Sequence, residues 1–429
     1  MGHIIQNFEA LAENEQRRSA LSIAEAGYAA IDVGDALRRK LRIERGELQI
    51  DGKTYRLAER RVFFVGIGKC ALAAVGAIKE LFGGQLAGGI AFDASPNKKN
   101  IAKIETYIGT HPLPSEENEH TTERVMTFLS DLRGDDLVVM LISGGGSTLL
   151  CSYEAPMTYA DESELFKELT AHGATIQEMN AVRKHTSRAR GGGLARAAYP
   201  AEVIALIASD VPGNDSEFIS SGPTTKDTST IADAKEILVR YDVTPPENVQ
   251  FIETPKDEKY FERVTNILFL TNRNALSAMR DEAARQGYAA GIVDEQFAGE
   301  ARDVGRVIVE KLHTSASKTA LLYGGESTVA LDAHHGTGGR NQEMALAALE
   351  VVHPDELILP FASDGHDNTA HAGAIGDAVS FAHARAHGLS LQEYLNVHRS
   401  YDFFSTTGDA LRTGYTGSNV SDLIIALKN

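Results

Sequence analysis

The sequence predicts an α/β protein of two domains, and three observations predict it. Short apolar runs alternate with longer stretches whose apolar residues recur at helical spacing. The chain has 429 residues, more than the roughly 250 to 300 at which a single hydrophobic core stops growing. Several of the runs end in glycine-rich turns, as strands do at the carboxyl edge of an open parallel sheet.

Taken in order, the runs that read as strands are RVFFVG (61–66), GIAFD (89–93), LVVMLIS (137–143), EVIALIA (202–208), NILFLT (266–271), KTALLYG (318–324) and LILPFA (357–362). Each is of strand length and too short for a helix. The run at 137–143 is apolar up to its final serine, which suits a strand covered on both faces. Segments such as EQRRSALSIAEAGYAAIDVGDALRRK (15–40) and NALSAMRDEAARQG (274–287) carry the helical period between such runs. The result is a mostly parallel sheet flanked by helices. The stretch YDVTPPENVQFIETPKDEKYFERV (241–264), with three prolines and many charges, interrupts the alternation. It places the domain division near 255, giving a first domain over 1–255 and a second over 256–429.

A formal charge of −17 repels nucleic acid and anionic lipid, so neither is expected as a partner, and an anionic ligand must be held by locally gathered donors. The two cysteines, Cys70 and Cys151, are too few for a disulfide framework or a zinc site, and the first 22 residues carry charges where a signal peptide needs an apolar core. No run approaches the roughly 20 apolar residues of a membrane span. A cytoplasmic chain acting on small molecules is the expectation, with homodimer formation left open.

The glycine-bearing turns are VGIGKCA (65–71), SGGGSTLL (143–150), ASDVPGNDSEFISSGPTT (208–225), YGGESTV (323–329), GTGGRNQEMALA (336–347) and ASDGHDNTAHAGAIGD (362–377). Glycines there let amides turn toward an anion, and a following helix adds its positive end. In the second turn Gly144, Gly145 and Gly146 can expose amides, while Ser147 and Thr148 can cap the next helix or donate to a phosphate or carboxylate. The sequence lacks the GxxxxGK[ST] phosphate loop, since Gly68-Lys69 is followed by Cys70, and GIGKCA completes no GxGxxG fingerprint. Lys69 opens a helix, where its charge suits an intervening anion. Gly338 and Gly339 precede Arg340, whose planar donors suit a phosphoryl group. Asp210, Glu326, Asp364 and Asp367 each follow a strand, where a carboxylate can hold Mg²⁺, accept a proton, or close an Asx turn or helix cap. For Asp367 and Asp215 the cap or turn is the preferred reading. The basic stretch RKHTSRARGGGLARA (183–197) reads either as a solvated helix face or as a receiver of an anionic substrate. His111 and His185 have no assigned role.

Together, GIGKCA, THPLP, SGGGSTLL, RKHTSRARGGGLA, SDVPGNDSEFISSGPT, GGESTV, GGRNQEMALA, SDGHDNTAHAGAIGD and TGYTGSNVSDL resemble the glycerate 2-kinase family, in order from about residue 60 to 424. The resemblance implies ATP-dependent phosphorylation of D-glycerate at its 2-hydroxyl, giving 2-phosphoglycerate, with Mg²⁺. It implies an N-terminal Rossmann-like domain, a C-terminal α/β domain containing the MOFRL region at about 316–425, and an active site in the interdomain cleft. By the same resemblance Lys69, Asp210, Glu326, Arg340, Asp364 and Asn419 fall on site positions. The roles expected are γ-phosphate contact for Lys69 and Arg340, metal binding for Asp210 or Glu326, and general base for Asp364. The Ser147/Thr148 turn with Arg183 or Arg188 is expected to receive the substrate carboxylate. The sequence departs from the family pattern at Cys70, Asn214, His366 and Asn368; asparagine tolerates positive φ, so Asn368 can keep its turn. Two alternatives stand beside this reading: a hydroxypyruvate reductase using NAD(P)H, and a kinase of another short sugar acid.

Overall fold

The computed structural model describes residues 2–95, 101–211, 213–331 and 335–429. Its contacts divide the chain into two compact units, one of Val33–Leu270 and one assembled from Met1–Asp32 and Thr271–Asn429. The division expected near 255 falls inside the first of these. The reason is the strand Val264–Leu270, which pairs with Glu202–Ala208 and completes that unit's sheet. The proline-bearing segment before it is not a linker, because it docks within the unit through main chain and side chain: the Ile252 amide donates to the His185 carbonyl (2.8 Å) and the Thr254 hydroxyl to Asp227 (3.0 Å). The helical stretch at 15–40 divides into Glu15–Ala30 and Val33–Lys40, one on each side of the unit boundary.

Within Val33–Leu270, six parallel strands run in the order Ile104–Ile108, Leu86–Asp93, Val62–Ile67, Leu137–Ser143, Glu202–Ala208, Val264–Leu270. Counted along the chain this is the doubly wound order 3-2-1-4-5-6 of Rossmann-like sheets. Val62–Ile67 and Leu137–Ser143 are buried at every position, as strands covered by helices on both faces must be. They are adjacent in the sheet, and the strand order reverses between them. A separate antiparallel meander, Arg42–Glu44, Glu47–Ile50 and Lys53–Arg56, precedes this sheet and is not among the runs read as strands. Its signal is in the turns: Arg45-Gly46 and Asp51-Gly52 all have positive φ, the pattern of two-residue hairpins.

The discontinuous unit carries a seven-stranded mixed sheet in the order Ala289–Phe297, Thr319–Gly325, Asp422–Lys428, Glu356–Ala362, Gly373–Ala374, Ala410–Leu411, with Gly376–Asp377 also pairing to Glu356–Ala362. Here the expectation of mostly parallel pairing needs correction. Only Ala289–Phe297 and Thr319–Gly325 run parallel, because the last strand of the chain returns antiparallel between Thr319–Gly325 and Glu356–Ala362. The helix Glu15–Ala30 packs with this unit and carries Arg17, which is wholly buried. Arg17 Nε and Nη2 bond the two oxygens of Asp377, both at 2.7 Å, and Nη2 lies 2.8 Å from Asp409. No described helix is long and apolar enough to cross a membrane.

Candidate active site

In the Val33–Leu270 unit, the turns after Val62–Ile67 and Leu137–Ser143 meet at the carboxyl edge of the sheet, where its strand order reverses. The Lys69 amide donates to the Gly144 carbonyl (3.0 Å) and the Cys70 amide to Ser143 Oγ (3.1 Å). Open α/β sheets bind ligands at this switch point. Gly145 has φ +85°, and a Cβ there would lie 3.3 Å from Lys69 Cγ and 3.5 Å from His111 Cδ2. Lys69, His111 and the glycine turn are therefore neighbours. The carbonyl of Gly145 accepts from Thr148 (3.2 Å), while the amides of Gly145, Gly146 and Ser147 donate to no described residue. Asp210, half-buried, follows the end of Glu202–Ala208 at the same edge.

Sequence reasoning gave no role to Ser220 and Ser221, which brace this turn. Ser220 Oγ donates to the Ser143 carbonyl (2.6 Å), and Ser221 Oγ lies 2.8 Å from Ser147 Oγ and 2.9 Å from Asn180 Oδ1. Both serines have positive φ (53° and 58°). That conformation costs about 1 kcal/mol or more per residue outside glycine. The SSG sequence was the visible signal.

The start of the helix Ala71–Phe82 is self-capped. Its Leu72 amide donates to Asp93 Oδ2 (2.9 Å), and Asp93 is buried. An internal carboxylate thus holds a position where an external anion was a candidate.

The basic stretch at 183–197 is mostly buried and is not a solvated face. Lys184 and Arg190 are buried against Asp227 (2.6 Å) and Glu162 (2.8 Å), and His185 Nδ1 lies 3.0 Å from the Ile252 carbonyl oxygen. Burial opposes the charge on Asp227, but the bond and charge of Lys184 together with the Ser229 hydrogen bonds outweigh it and hold the carboxyl below its ordinary range. Arg183 stacks on Phe166 at 3.9 Å, and burial pushes its pKa down to about 10 despite Glu162. Arg188 bonds Ser152 Oγ (3.0 Å) and pairs with Glu123. Both arginines face acids of the protein, while the buried Arg183 Nε makes no hydrogen bond. Cys151 is buried and its thiol pushed up to about 12, which removes it as a nucleophile.

In the discontinuous unit, three adjacent strands bring acids to one end. Asp422 opens the central strand and pairs in register with Gly325 on one side and Ala362 on the other. Glu326 follows the first neighbour and Asp364 the second. Arg340 ties two of them together: Nε bonds Asp422 Oδ2 (2.5 Å), Nη2 bonds Asp422 Oδ1 (3.3 Å), and Nη1 pairs with Glu326 (2.5 Å). Burial would lower the pKa of this guanidinium, but Asp422 and Glu326 hold it above its ordinary value. Three of its five N–H groups are engaged and two remain for a ligand. Asp422 was missed from the sequence; it appears there only as the last acid of the SNVSDL motif. Asp364 is buried, its Oδ1 accepts the His366 amide (3.0 Å), and its carbonyl accepts the Thr416 amide (3.1 Å). Asn419, also buried, lies on the loop entering the central strand.

Gly338 and Gly339 do not form an open cradle. A Cβ on Gly339 would lie 2.0 Å from the Asp367 carbonyl oxygen and 2.2 Å from its carboxyl carbon. The glycine admits Asp367 to the start of the helix Arg340–Ala348, where its carboxylate accepts from the amides of Asn341 (3.1 Å) and Gln342 (2.8 Å). The preferred capping role of Asp367 is thus observed, on a helix remote from it in sequence. Burial and then the charge of Asp422 outweigh these bonds and raise its pKa to about 6. Asp215 makes the expected Asx turn to the Glu217 amide (3.0 Å), and Asn368 takes φ +53°.

The same helix start borders a pocket of about 530 Å³. Ser327, Arg340, Glu343 and Asn368 are among its lining residues.

Glu326, Asp364 and Asp422 are hard oxygen donors of the kind Mg²⁺ takes. The tight three-ligand clusters among the described residues lie elsewhere, at His313, His353 and Glu356 and at Glu13, His383 and Asp409.

Comparisons with known proteins place this geometry among relatives. A family model described as a domain of unknown function, DUF4147, matches residues 19–252, and the MOFRL family model matches residues 319–422. The chain is 32% identical to a glycerate 2-kinase of Pyrococcus horikoshii over 96% of its own length and 97% of that protein. It is 38% identical to an Agrobacterium vitis protein provisionally named a hydroxypyruvate reductase, over 85% and 86% of the two chains. The crystal structure of a glycerate kinase from Thermotoga maritima superposes with a TM-score of 0.84 at 31% identity, covering 96% of this chain and 99% of that one.

Proposed function

Because the chain belongs to the glycerate 2-kinase family, with its MOFRL C-terminal region, we propose that it transfers the γ-phosphoryl group of ATP to the 2-hydroxyl of D-glycerate, giving 2-phosphoglycerate and ADP. The observation that carries this reading is Arg340, braced by Asp422 and Glu326 with two N–H groups still available. Phosphoryl transfer demands positioned positive charge more than covalent chemistry. A guanidinium fixed by two carboxylates is held ready without reorganisation.

In the reaction the 2-hydroxyl oxygen forms a bond to the γ-phosphorus while the bond from that phosphorus to the β–γ bridging oxygen breaks. The hydroxyl proton passes to Asp364, and the bridging electrons leave with ADP. Arg340 offsets charge building on the transferred group, and Lys69 serves an anionic group at the Gly144–Ser147 turn. Asp210 and Glu326 are the metal-binding candidates, and Asn419 a ligand-binding one. Bound Mg²⁺ would neutralise polyphosphate charge.

The reductase reading is supported by one relative's name. The helix start weighs against it. In this strand order a dinucleotide's pyrophosphate lies against the first helix N-terminus, and there the Leu72 amide is held by Asp93 and the Cys70 amide by Ser143.

Incubation with ATP, Mg²⁺ and D-glycerate, with ADP release coupled to a readout and the product located by phosphorus NMR, tests the proposal. Phosphate on the 2-oxygen is expected. Absence of ADP release together with NADH oxidation by hydroxypyruvate would replace the kinase with the reductase, and faster turnover of a longer hydroxy acid would change the substrate.

A further inference from the structure

The pocket of about 530 Å³ beside Arg340 lies wholly within the discontinuous unit, and no role has been assigned to most of its wall. We propose that it seats the adenosine part of ATP, an inference that rests on the kinase reading above. Its volume falls within the roughly 300 to 1,000 Å³ of small-molecule sites, and a three-carbon acid would leave it mostly water-filled. The wall is mixed in the way a nucleoside needs. Val329 and Leu331 contribute apolar surface, and Leu331 is exposed and so accessible to a base.

Two polar groups of the wall await a partner. Ser327 is only 1% exposed, yet its Oγ makes no hydrogen bond. A buried hydroxyl without a partner costs free energy that a ligand can recover. Glu343 is also buried; its Oε1 accepts from Arg302 Nε (2.8 Å) and lies 3.0 Å from His398 Nδ1, which leaves Oε2 to accept from ribose hydroxyls or an exocyclic amine. Arg340 stands on the same wall and marks the end toward which the phosphates run.

Equilibrium dialysis of ADP against the full chain tests this without requiring turnover. Leu331→Glu alters an exposed side chain and Ser327→Ala removes only the unpartnered oxygen, so both variants should fold. Expected are a loss of ADP affinity of about tenfold for Leu331→Glu and about fivefold for Ser327→Ala. The KM for ATP should rise in parallel, with the KM for D-glycerate changed less than about twofold. Unchanged ADP binding in both variants would overturn the assignment and leave the kinase reading standing. A rise in the KM for D-glycerate alone would hand the pocket to the acid and overturn it too. ADP binding that follows these substitutions in a protein without glycerate kinase activity would support the pocket while removing the kinase reading.

Discussion

The turn after Leu137–Ser143 and the turn before Arg340–Ala348 carry the same written signature, glycines followed by a polar residue and a helix, and they serve different ends. At the first, glycine takes a left-handed φ and the amides of Gly145, Gly146 and Ser147 donate to no described residue. At the second, glycine lets a carboxylate of the protein approach, and Asp367 accepts the amides of Asn341 and Gln342. Asp93 does the same for the Leu72 amide. A glycine run therefore announces close approach. What approaches, a ligand or another part of the chain, is decided by whether a buried carboxylate lies within reach.

The comparison breaks most visibly at Arg340. If the self-capped turn still presents a catalytic cation, Arg340→Ala lowers kcat by ~10²-fold or more. A rate near that of the unaltered enzyme in steady-state assays would make Arg340 a structural partner of Asp422 only. The same substitution at each glycine then separates the two turns. Gly339→Ala forces a methyl onto main-chain and carboxyl atoms of Asp367, and stability measured by urea unfolding should fall by about 3 kcal/mol. Acidity sharpens the contrast further. The Asp367 carboxyl is raised to about 6, well above the ordinary carboxylate range, so the native state holds its proton more tightly than the unfolded chain. This group therefore favours the fold at low pH, and that contribution, about 2 to 3 kcal/mol, is lost as pH rises from roughly 4 to 6. Urea midpoints recorded across that window should show the slope in the unaltered chain and lose it in Asp367→Asn; identical slopes would mean the carboxyl titrates normally. Gly145→Ala should have the smallest effect on stability. Its nearest neighbours are the flexible Lys69 and the ring of His111, so about 1 kcal/mol from the φ alone is expected in thermal melts.

Much of the parallel sheet was legible because continuous burial writes itself as continuous apolar runs, as in LVVMLIS. The edge strand Ile104–Ile108 was not, since its exposed face carries Glu105 and breaks the run. DLIIALK has an apolar centre between two charged ends, yet its antiparallel return into the middle of a sheet depends on partners at 319–325 and 356–362. Chain order cannot show that. The site divides along the same line. Lys69, the Gly144–Ser147 turn, Glu326 and Arg340 lie in motifs contiguous in sequence. Asp422 and the capping role of Asp367 are created by pairings across 82 and 26 residues, and only folding brings those partners together.

The burial of Arg17 has a consequence for biosynthesis. A ribosome releases the helix Glu15–Ala30 well before Asp377 and Asp409 have been translated. Until then the guanidinium stays hydrated and the helix has no sheet to cover, while the whole of Val33–Leu270 can already emerge and fold. The amino-terminal helix can lay Gly27 against Met279 once the helix Asn272–Arg285 has emerged, but the acids that neutralise Arg17 are among the last partners it receives.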